Sequence, residues 1–253
     1  MRRVAHRRPC TGAHRRGGFR GIGGGSVAPA WSPAQLTNLR GWYRADDLVV
    51  SGAEVTQWTD KSGNAYHLTP PAATNRPTFE AAGLGGKPSV RFDGTDDVLR
   101  SATNSFLGTP AGYTIALVMQ EAGARVANAM IAGYGVLTAA APRIRQQASV
   151  TVQLVNATLG VASAGIATTS PLLAVCGADG ASQYVYYGTT LRDSDATTSV
   201  LTGAVSQVFA LGAMGNATLP SNIRIAEAIV MTAWITPAEH SALAAYVSAR
   251  YGV

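Results

Sequence analysis

The amino-acid sequence predicts an all-β fold, in which two antiparallel sheets form a sandwich with one C-terminal helix and an extended N-terminal arm. Charged residues make up only 13% of the 253-residue chain, hydrophobic residues make up 47%, and there are 28 glycines. This balance is typical of many short strands joined by tight turns. Turn residues also separate short β-rich segments at roughly the spacing of a sandwich protein. No apolar run reaches the ~18 residues that a membrane helix needs.

Residues 1–30 are predicted to form a basic arm, separate from a domain at residues 31–253. Seven of the 20 basic side chains lie in the arm, namely Arg2, Arg3, Arg7, Arg8, Arg15, Arg16 and Arg20. No acidic residue precedes Ser26, and the remaining 13 basic and all 14 acidic side chains follow it. Because a Gly- and Arg-rich segment buries too little apolar surface to fold alone, we expect the arm to become ordered only on a partner. The alternatives are a permanently disordered tail and a start codon placed too far upstream.

The domain is predicted to begin with a helical turn and to continue as strands. Ser32 is the expected N-cap of the turn and Pro33 its first residue. Residues 68–79 are expected to be rich in loops, because they contain three prolines. Trp42 and Tyr43 are predicted to open the first strand, and Val98-Leu99 to start the strand that follows Ser89–Phe92. The other predicted strands are Val55–Trp58, Ser89–Phe92, Tyr113–Gln120, Ala129–Tyr134, Arg143–Gln147, Val150–Val155, Leu172–Cys176, Gln183–Gly188, Val208–Leu211 and Ile223–Trp234.

The segment KPSVRFDGTDDVLR, residues 87–100, is predicted to form a half-buried hairpin. Alternation places Val90 and Phe92 on its buried face. Asp93-Gly94 is a favoured two-residue turn, because both residues tolerate a positive φ. Three carboxylates would then lie at the tip, those of Asp93, Asp96 and Asp97.

The C-terminal segment is predicted to form the last strand and then a capped helix. Thr236 is the expected N-cap, and Glu239 completes a capping box three residues later. Leu243 and Tyr246 lie on the side expected to pack against the sandwich, and Gly252 ends the helix.

Three segments resemble, in the same order, the concanavalin A-like (laminin-G-like) jelly-roll domains of lectins and glucanases. They are GWYRADD with VTQWTDKSGNAYHLT (residues 41–47 and 55–69), VRFDGTDDVL (residues 90–99) and IAEAIVMTAWITPAEHSALAAYVSARYGV (residues 225–253). The resemblance implies a two-sheet antiparallel jelly roll with a terminal helix packed on the sandwich. It leaves the activity open, because this fold carries many unrelated functions.

The sequence favours a protein that is not an enzyme. The resemblance implies that a glucanase would carry carboxylates two residues apart on one strand, so that both point into one cleft. No glutamate has such a neighbour, and Asp193 and Asp195, which have this spacing, lie in a segment predicted to be a loop. Glu227 is expected to form a structural ion pair with Arg44 or Arg91. No histidine or cysteine has the context of a catalytic triad or a zinc site.

If the domain binds a glycan, we expect the site at the loops after the second predicted strand and at the hairpin tip. Trp58 or Tyr66 would stack against a sugar ring. The candidate residues are Trp58, Asp60, Asn64, Tyr66, Asp93, Asp96 and Asp97. The resemblance also allows calcium at these loop oxygens, although we expect no cofactor. We favour the simpler interpretation that Asp60 and Asp93 accept hydrogen bonds from nearby backbone N–H groups in Asx turns.

Together these observations predict a structural protein of a bacteriophage. The chain has no apolar segment of the ~7–15 residues that a secretory signal requires, yet a sugar-binding protein must meet its ligand outside the cell. Release within a particle resolves this conflict. We expect a head-decoration, tail or fibre protein of the virion, assembled in the host cytoplasm and homo-oligomeric. The arm would bind other virion proteins, with nucleic acid a less favoured partner and no role for membranes, and the jelly roll would face host or environmental glycans. The alternative is a glycan-binding or glycan-hydrolysing module of a bacterial or phage enzyme.

Overall fold

The computed structural model describes residues 30–102, 107–108, 111–134, 142–146, 153–156, 159–162, 170–196 and 208–253. The described residues from Trp31 to Val253 form one compact unit. None of their helices is both long and apolar enough to cross a membrane. The arginines of the predicted arm lie outside the described residues, as do residues 147 and 150–152 of two predicted strands.

The described residues are mostly β-strands, with one α-helix at the C-terminus, as the sequence predicts. A short 3-10 turn, Pro33–Gln35, follows Ser32. The helix α1 spans Pro237–Tyr251. The strands are β1 Leu39–Ser51, β2 Glu54–Asp60, β3 Leu68–Thr69, β4 Thr78–Leu84, β5 Lys87–Asp93, β6 Leu99–Ser101, β7 Tyr113–Glu121, β8 Met130–Tyr134, β9 Arg143–Arg145, β10 Gln153–Asn156, β11 Leu159–Ala162, β12 Leu172–Ala178, β13 Gln183–Tyr187, β14 Thr190–Asp195, β15 Phe209–Leu211 and β16 Asn222–Met231.

Antiparallel pairing arranges these strands in two layers that join at their edges. The first layer has the order β4-β5-β16-β7-β12-β13-β14, and the second has the order β11-β10-β9-β8-β15-β6-β3-β2. The strand β1 belongs to both layers, because Leu39–Arg44 pair with β16 and Tyr43–Ser51 pair with β2. The layers also meet where Glu54 of β2 pairs with Thr78 of β4. The result is a β-sandwich.

The main core lies between the two layers. Its largest fully buried side chains include Tyr43, Trp58, Tyr134 and Phe209. Tyr134 and Phe209 pack with ring centroids 5.2 Å apart, which joins β8 to β15 within the second layer. Burial of such large rings is a principal source of stability in a sandwich of this size.

The helix α1 covers the outer face of the first layer. Leu243, Val247 and Tyr251 are buried in a second apolar cluster with residues of β7, β12 and β16. The Thr236 hydroxyl accepts a hydrogen bond from the Glu239 N–H, and the Glu239 carboxylate accepts one from the Thr236 N–H. These contacts confirm the predicted capping box. Gly252 ends the helix at φ 72°, also as predicted.

Glu227 is fully buried beneath this helix, and neutral donors take the place of the predicted arginine partner. Its carboxylate accepts hydrogen bonds from Trp42 Nε1 at 2.5 Å, Tyr251 O–H at 2.7 Å and Tyr246 O–H at 3.1 Å. Burial raises the pKa of Glu227, and these hydrogen bonds oppose the rise. Arg44 instead forms ion pairs with acidic neighbours on its own strand.

The predicted hairpin at residues 87–100 is wrong. The strand β5 pairs with β4 and β16 in the first layer, whereas β6 pairs with β3 and β15 in the second. The chain between them therefore crosses from one layer to the other instead of reversing. We call residues 94–98 the crossover loop. Asp93 Oδ1 accepts a hydrogen bond from Thr95 N at 2.7 Å, and Asp97 Oδ2 accepts one from Asp93 N at 2.9 Å, so local Asx contacts shape this loop.

The segment that contains Asp193 and Asp195 is a strand, not the predicted loop. It forms β14 at the edge of the first layer and pairs only with β13 among the described residues. Its residues are partly or fully exposed, so its sequence lacks the apolar alternation that predicts a strand. The predictions also missed the strands β3, β4 and β11.

Candidate functional site

The two loops predicted to form one site lie apart along the strands. Asp93 lies opposite Asn222, at the start of β16. Asp60 lies opposite Tyr43, which in turn lies opposite Ala228, six residues further along β16. At about 3.3 Å per residue, the two levels are roughly 20 Å apart. The structure therefore does not bring the two sets of candidate residues together.

The loop that begins at Asp60 is closed by its own hydrogen bonds. The Asp60 carboxylate accepts bonds from Trp42 N, Ser62 N, Ser62 Oγ and Tyr66 N, at distances of 2.8–3.0 Å. This is the Asx arrangement that the sequence predicts. The exposed Asn64 donates from its amide to two backbone carbonyls of β1, at 3.1 and 3.2 Å. These polar atoms fix the loop to β1, which accounts for them without a ligand.

The two rings predicted to stack on a sugar pack against other residues of the chain instead. Trp58 is fully buried in the main core and has no exposed ring face. The guanidinium of Arg40 lies 4.4 Å from the centroid of the Tyr66 ring and donates a hydrogen bond to its hydroxyl. Another aromatic pair, Tyr184 with Trp234, stacks with centroids 4.9 Å apart beside the start of α1. Trp234 packs against the apolar cluster under the helix together with Tyr186, whose ring centroid lies 6.0 Å from that of Trp234.

Three acidic side chains lie together where β5 meets the crossover loop. Oxygen atoms of Asp93, Asp96 and Asp97 lie within 4.8 Å of one another. Burial raises the pKa of Asp97 to about 7, opposed by the hydrogen bond from Asp93 N and reinforced by the charges of Asp93 and Asp96. Asp97 is therefore partly protonated near neutral pH. Three neighbouring carboxyl groups are common without a metal, so this cluster does not decide between the calcium that the resemblance allows and the expected absence of a cofactor.

A pocket that the sequence analysis did not identify lies on the outer face of the second layer. Its volume is about 330 Å³, near the lower end of the range for small-molecule sites. It is lined by Asn128, Met130, Arg143, Arg145, Met214 and Leu219. Ile144, between the two arginines of β9, points into the main core. Strand alternation therefore directs both arginines to the outer face. We call this site the arginine pocket.

A close approach of β8 and β9 builds one wall of the arginine pocket. Gly133 of β8 lies opposite Arg143 of β9 and has φ 146°. A Cβ atom at Gly133 would lie 2.4 Å from the Pro142 carbonyl oxygen and 2.7 Å from Arg143 Cα. Only glycine fits at this distance, so the position of Arg143 depends on it.

The opposite wall is held by backbone contacts and contains unusual backbone angles. The Met130 N–H donates a hydrogen bond to the Leu219 carbonyl oxygen at 2.8 Å. Asn128 and Leu219, both lining residues, have φ of 61° and 54°, and Ala217 nearby has φ 63°. A positive φ is uncommon outside glycine, and such strain concentrates at functional sites.

The arginine pocket combines buried positive charge with apolar side chains. Arg143 is only 7% exposed. Burial lowers the pKa of Arg143, and the charge of Arg145 lowers it further. Burial lowers the pKa of Arg145 as well. Both groups still carry their charge at neutral pH, because a guanidinium titrates far above it. The pocket therefore offers charged N–H donors beside the apolar side chains of Met130 and Met214.

Solved structures with the same fold come from several classes of protein. Domain 4 of AbnA, a GH43 extracellular arabinanase from Geobacillus stearothermophilus solved in complex with arabinotriose, is 14% identical with a TM-score of 0.61, over 83% of this chain and 100% of that domain. Trypanosoma rangeli sialidase is 12% identical with a TM-score of 0.62, over 88% of this chain and 36% of the sialidase. The binding domain of botulinum neurotoxin serotype G is 9% identical with a TM-score of 0.59, over 83% of this chain and 51% of that domain.

These likenesses show the fold. The chain spans the whole arabinanase domain, about a third of the sialidase and about half of the toxin domain. No protein-family model matches the sequence, and no curated protein matches it either.

Proposed function

We propose that this chain is a glycan-binding module without catalytic activity, built on a concanavalin A-like jelly roll, and that its ligand site is the arginine pocket. The observation that carries the proposal is the pocket itself, a concave site with convergent polar groups on strands of the sandwich. The fold adds support. The chain matches the whole length of the arabinanase domain, and that domain was solved in complex with arabinotriose.

The position of the arginine pocket also supports this assignment. The helix α1 covers the outer face of the first layer and fills it with apolar side chains. The arginine pocket lies on the outer face of the other layer, where two strands and one loop line an opening. Side chains on strands hold a ligand more rigidly than side chains on loops alone.

A glycan array tests the proposal, with the wild-type chain, Arg145→Glu and a matched control. Arg192→Glu is the control, because it makes the same charge change at an exposed position of β14. We expect the wild type and Arg192→Glu to bind the same glycans and Arg145→Glu to lose them. If the wild type binds no glycan, or Arg145→Glu binds as well as the control, the proposal is wrong.

Glycan hydrolysis is a second candidate function, which one observation favours. Asp193 and Asp195 are two residues apart on β14 and lie opposite Val185 and Gln183, whose side chains are buried. Cross-strand partners share a face, so both carboxylates lie on the same side of the sheet. Release of reducing ends from a bound glycan, abolished by both Asp193→Asn and Asp195→Asn, would favour hydrolysis. Binding without product would favour the module.

We also propose, from the charge segregation in the sequence, that residues 1–30 attach the module to a bacteriophage virion. The seven arginines of the arm would pair with an acidic groove between subunits, where each charge-assisted bond contributes on the order of 1–3 kcal/mol. The test is to delete residues 1–30 and to mix the truncated chain with particles that lack the protein. Wild-type occupancy by the truncated chain would show that the arm is not the anchor.

A further inference from the structure

We propose that the ligand of the arginine pocket is an acidic saccharide, whose carboxylate is held by Arg143 and Arg145 while an apolar face of its ring rests on Met130, Met214 and Leu219. This inference rests on the proposed function and adds the ligand class to it.

The two guanidinium groups of the arginine pocket are placed side by side on one strand. Arg143 and Arg145 point to the same face of β9, one residue on either side of Ile144. The charge of Arg145 already disfavours the charged form of Arg143. A carboxylate bound between the two groups would relieve this repulsion. Guanidinium N–H groups match the two oxygens of a carboxylate in a bidentate geometry, which a neutral sugar hydroxyl does not offer.

The other lining residues of the arginine pocket match the two sides of a sugar ring. Met130 and Met214 are only 2% and 1% exposed, so they form the floor of the pocket. Leu219 is partly exposed and Asn128 is exposed, which places them at the rim. A pyranose ring has an apolar C–H face and a hydroxyl edge. The methionine side chains would pack against the C–H face. The Asn128 amide, which both donates and accepts hydrogen bonds, would bind the hydroxyl edge.

The size of the arginine pocket limits the length of its ligand. A volume of about 330 Å³ suits a short segment of a saccharide rather than an extended polymer. The strand pairing on both sides of β9, to β8 and to β10, holds the two arginines at a fixed spacing. A fixed spacing selects for the position of the carboxylate on the sugar.

The test uses the full chain and matched pairs of ligands. Isothermal titration calorimetry at 50 mM NaCl would measure binding of tetragalacturonate, a hyaluronan tetrasaccharide and 3′-sialyllactose, each beside its carboxyl methyl ester. The ester keeps the sugar and removes the charge. We expect at least one acid to bind tenfold or more tightly than its ester, and this preference to shrink at 500 mM NaCl, because salt screens the charge.

Variants at Arg145 locate the effect. We expect Arg145→Gln to weaken binding of the acid at least tenfold and to leave acid and ester equal. Arg145→Lys should retain part of the preference for acid over ester, because lysine keeps the positive charge but cannot form the bidentate guanidinium–carboxylate contact. Arg192→Gln is the matched control and should bind as the wild type does. Thermal unfolding checks that each variant is folded. If a variant does not fold, the comparison of acid with ester in the wild type still tests the ligand class.

The outcomes separate this inference from the proposed function. If every acid binds no better than its ester, or if only neutral glycans bind on the array, the ligand class is wrong while glycan binding stands. If an acid is preferred and Arg145→Gln keeps that preference, the arginine pocket is not the site of the carboxylate. If no glycan binds at all, both proposals are wrong.

Discussion

The two outer faces of the sandwich differ in the sign and the setting of their buried charged groups. Under α1, Glu227 is fully buried and receives hydrogen bonds from three neutral side chains of the same unit. On the outer face of the second layer, Arg143 and Arg145 lie beside each other and line an open pocket. Hydrogen bonds within the unit satisfy the buried Glu227 carboxylate and stabilise the fold, whereas two like charges at an opening suit a ligand of opposite charge. Changes on the helix-covered face should therefore alter stability, and changes at the arginine pocket should alter binding.

The largest expected effect is the loss of a helix contact. Leu243→Ala should lower the free energy of unfolding by roughly 2–5 kcal/mol, because Leu243 is fully buried under α1. Urea unfolding measures this change. Ser248→Ala, at an exposed position of the same helix, is the control and should stay within about 0.5 kcal/mol of the wild type.

The folded Leu243→Ala protein should keep its glycan affinity, which sharpens the contrast between the two faces. A change in stability below about 1 kcal/mol would show that the helix is peripheral.

A smaller effect is expected in the loop that begins at Asp60. Asp60→Ala should cost about 1–3 kcal/mol, because it leaves backbone N–H groups of Trp42, Ser62 and Tyr66 without their acceptor. Asp96→Ala is the matched control, and its cost should be within about 0.5 kcal/mol, because its side chain is partly exposed. Equal losses of stability in the two variants would mean that the Asp60 bonds do not hold the loop.

The last expected effect is a change in pH dependence at Asp97. The pKa of Asp97 is about 7 in the folded chain, against an ordinary value of 3.8. Between these values the folded state binds more protons than the unfolded state, so the stability that Asp97 contributes is present below about pH 4 and falls as the pH rises towards 7. Asp97→Asn does not titrate, so its melting temperature should depend less on pH.

Melting curves at pH 4, 6 and 8 check this expectation. The variant should gain relative to the wild type as the pH rises, at about 2–4 °C for each 1 kcal/mol in a domain of this size. A difference between variant and wild type that is the same at pH 4 and pH 8 would show that Asp97 does not titrate in this range.

The start and the end of the helix α1 were predictable from sequence, because the residues that determine them are local. Thr236, Glu239 and Gly252 act within one turn of the helix, and the structure shows each in its expected role. The crossover loop was not predictable for the opposite reason. Asp93-Gly94 favours a tight turn locally, but β5 pairs with residues 222–225, far along the chain. Long-range pairing decides the path, and no local pattern reports it.

The arginine pocket was hidden for a similar reason. Its walls come from three separate segments, around residues 128–130, 143–145 and 214–219. One signal was present in the sequence, because arginines stand on either side of Ile144 in a predicted strand, which places two charges on one face. The loop that begins at Asp60 is the opposite case. Its polar residues are conspicuous in the sequence, but they form hydrogen bonds that hold the loop in place.

The most direct test of the central claim maps the bound glycan onto the chain. Backbone amide chemical shifts would be recorded for the isotope-labelled protein, free and saturated with the tightest-binding saccharide. The account predicts that the largest changes fall at the arginine pocket, on Asn128, Met130, Arg143, Arg145, Met214 and Leu219. Changes centred on the Tyr184 and Trp234 pair, or on the loop at Asp60, with the pocket unaffected, would contradict it.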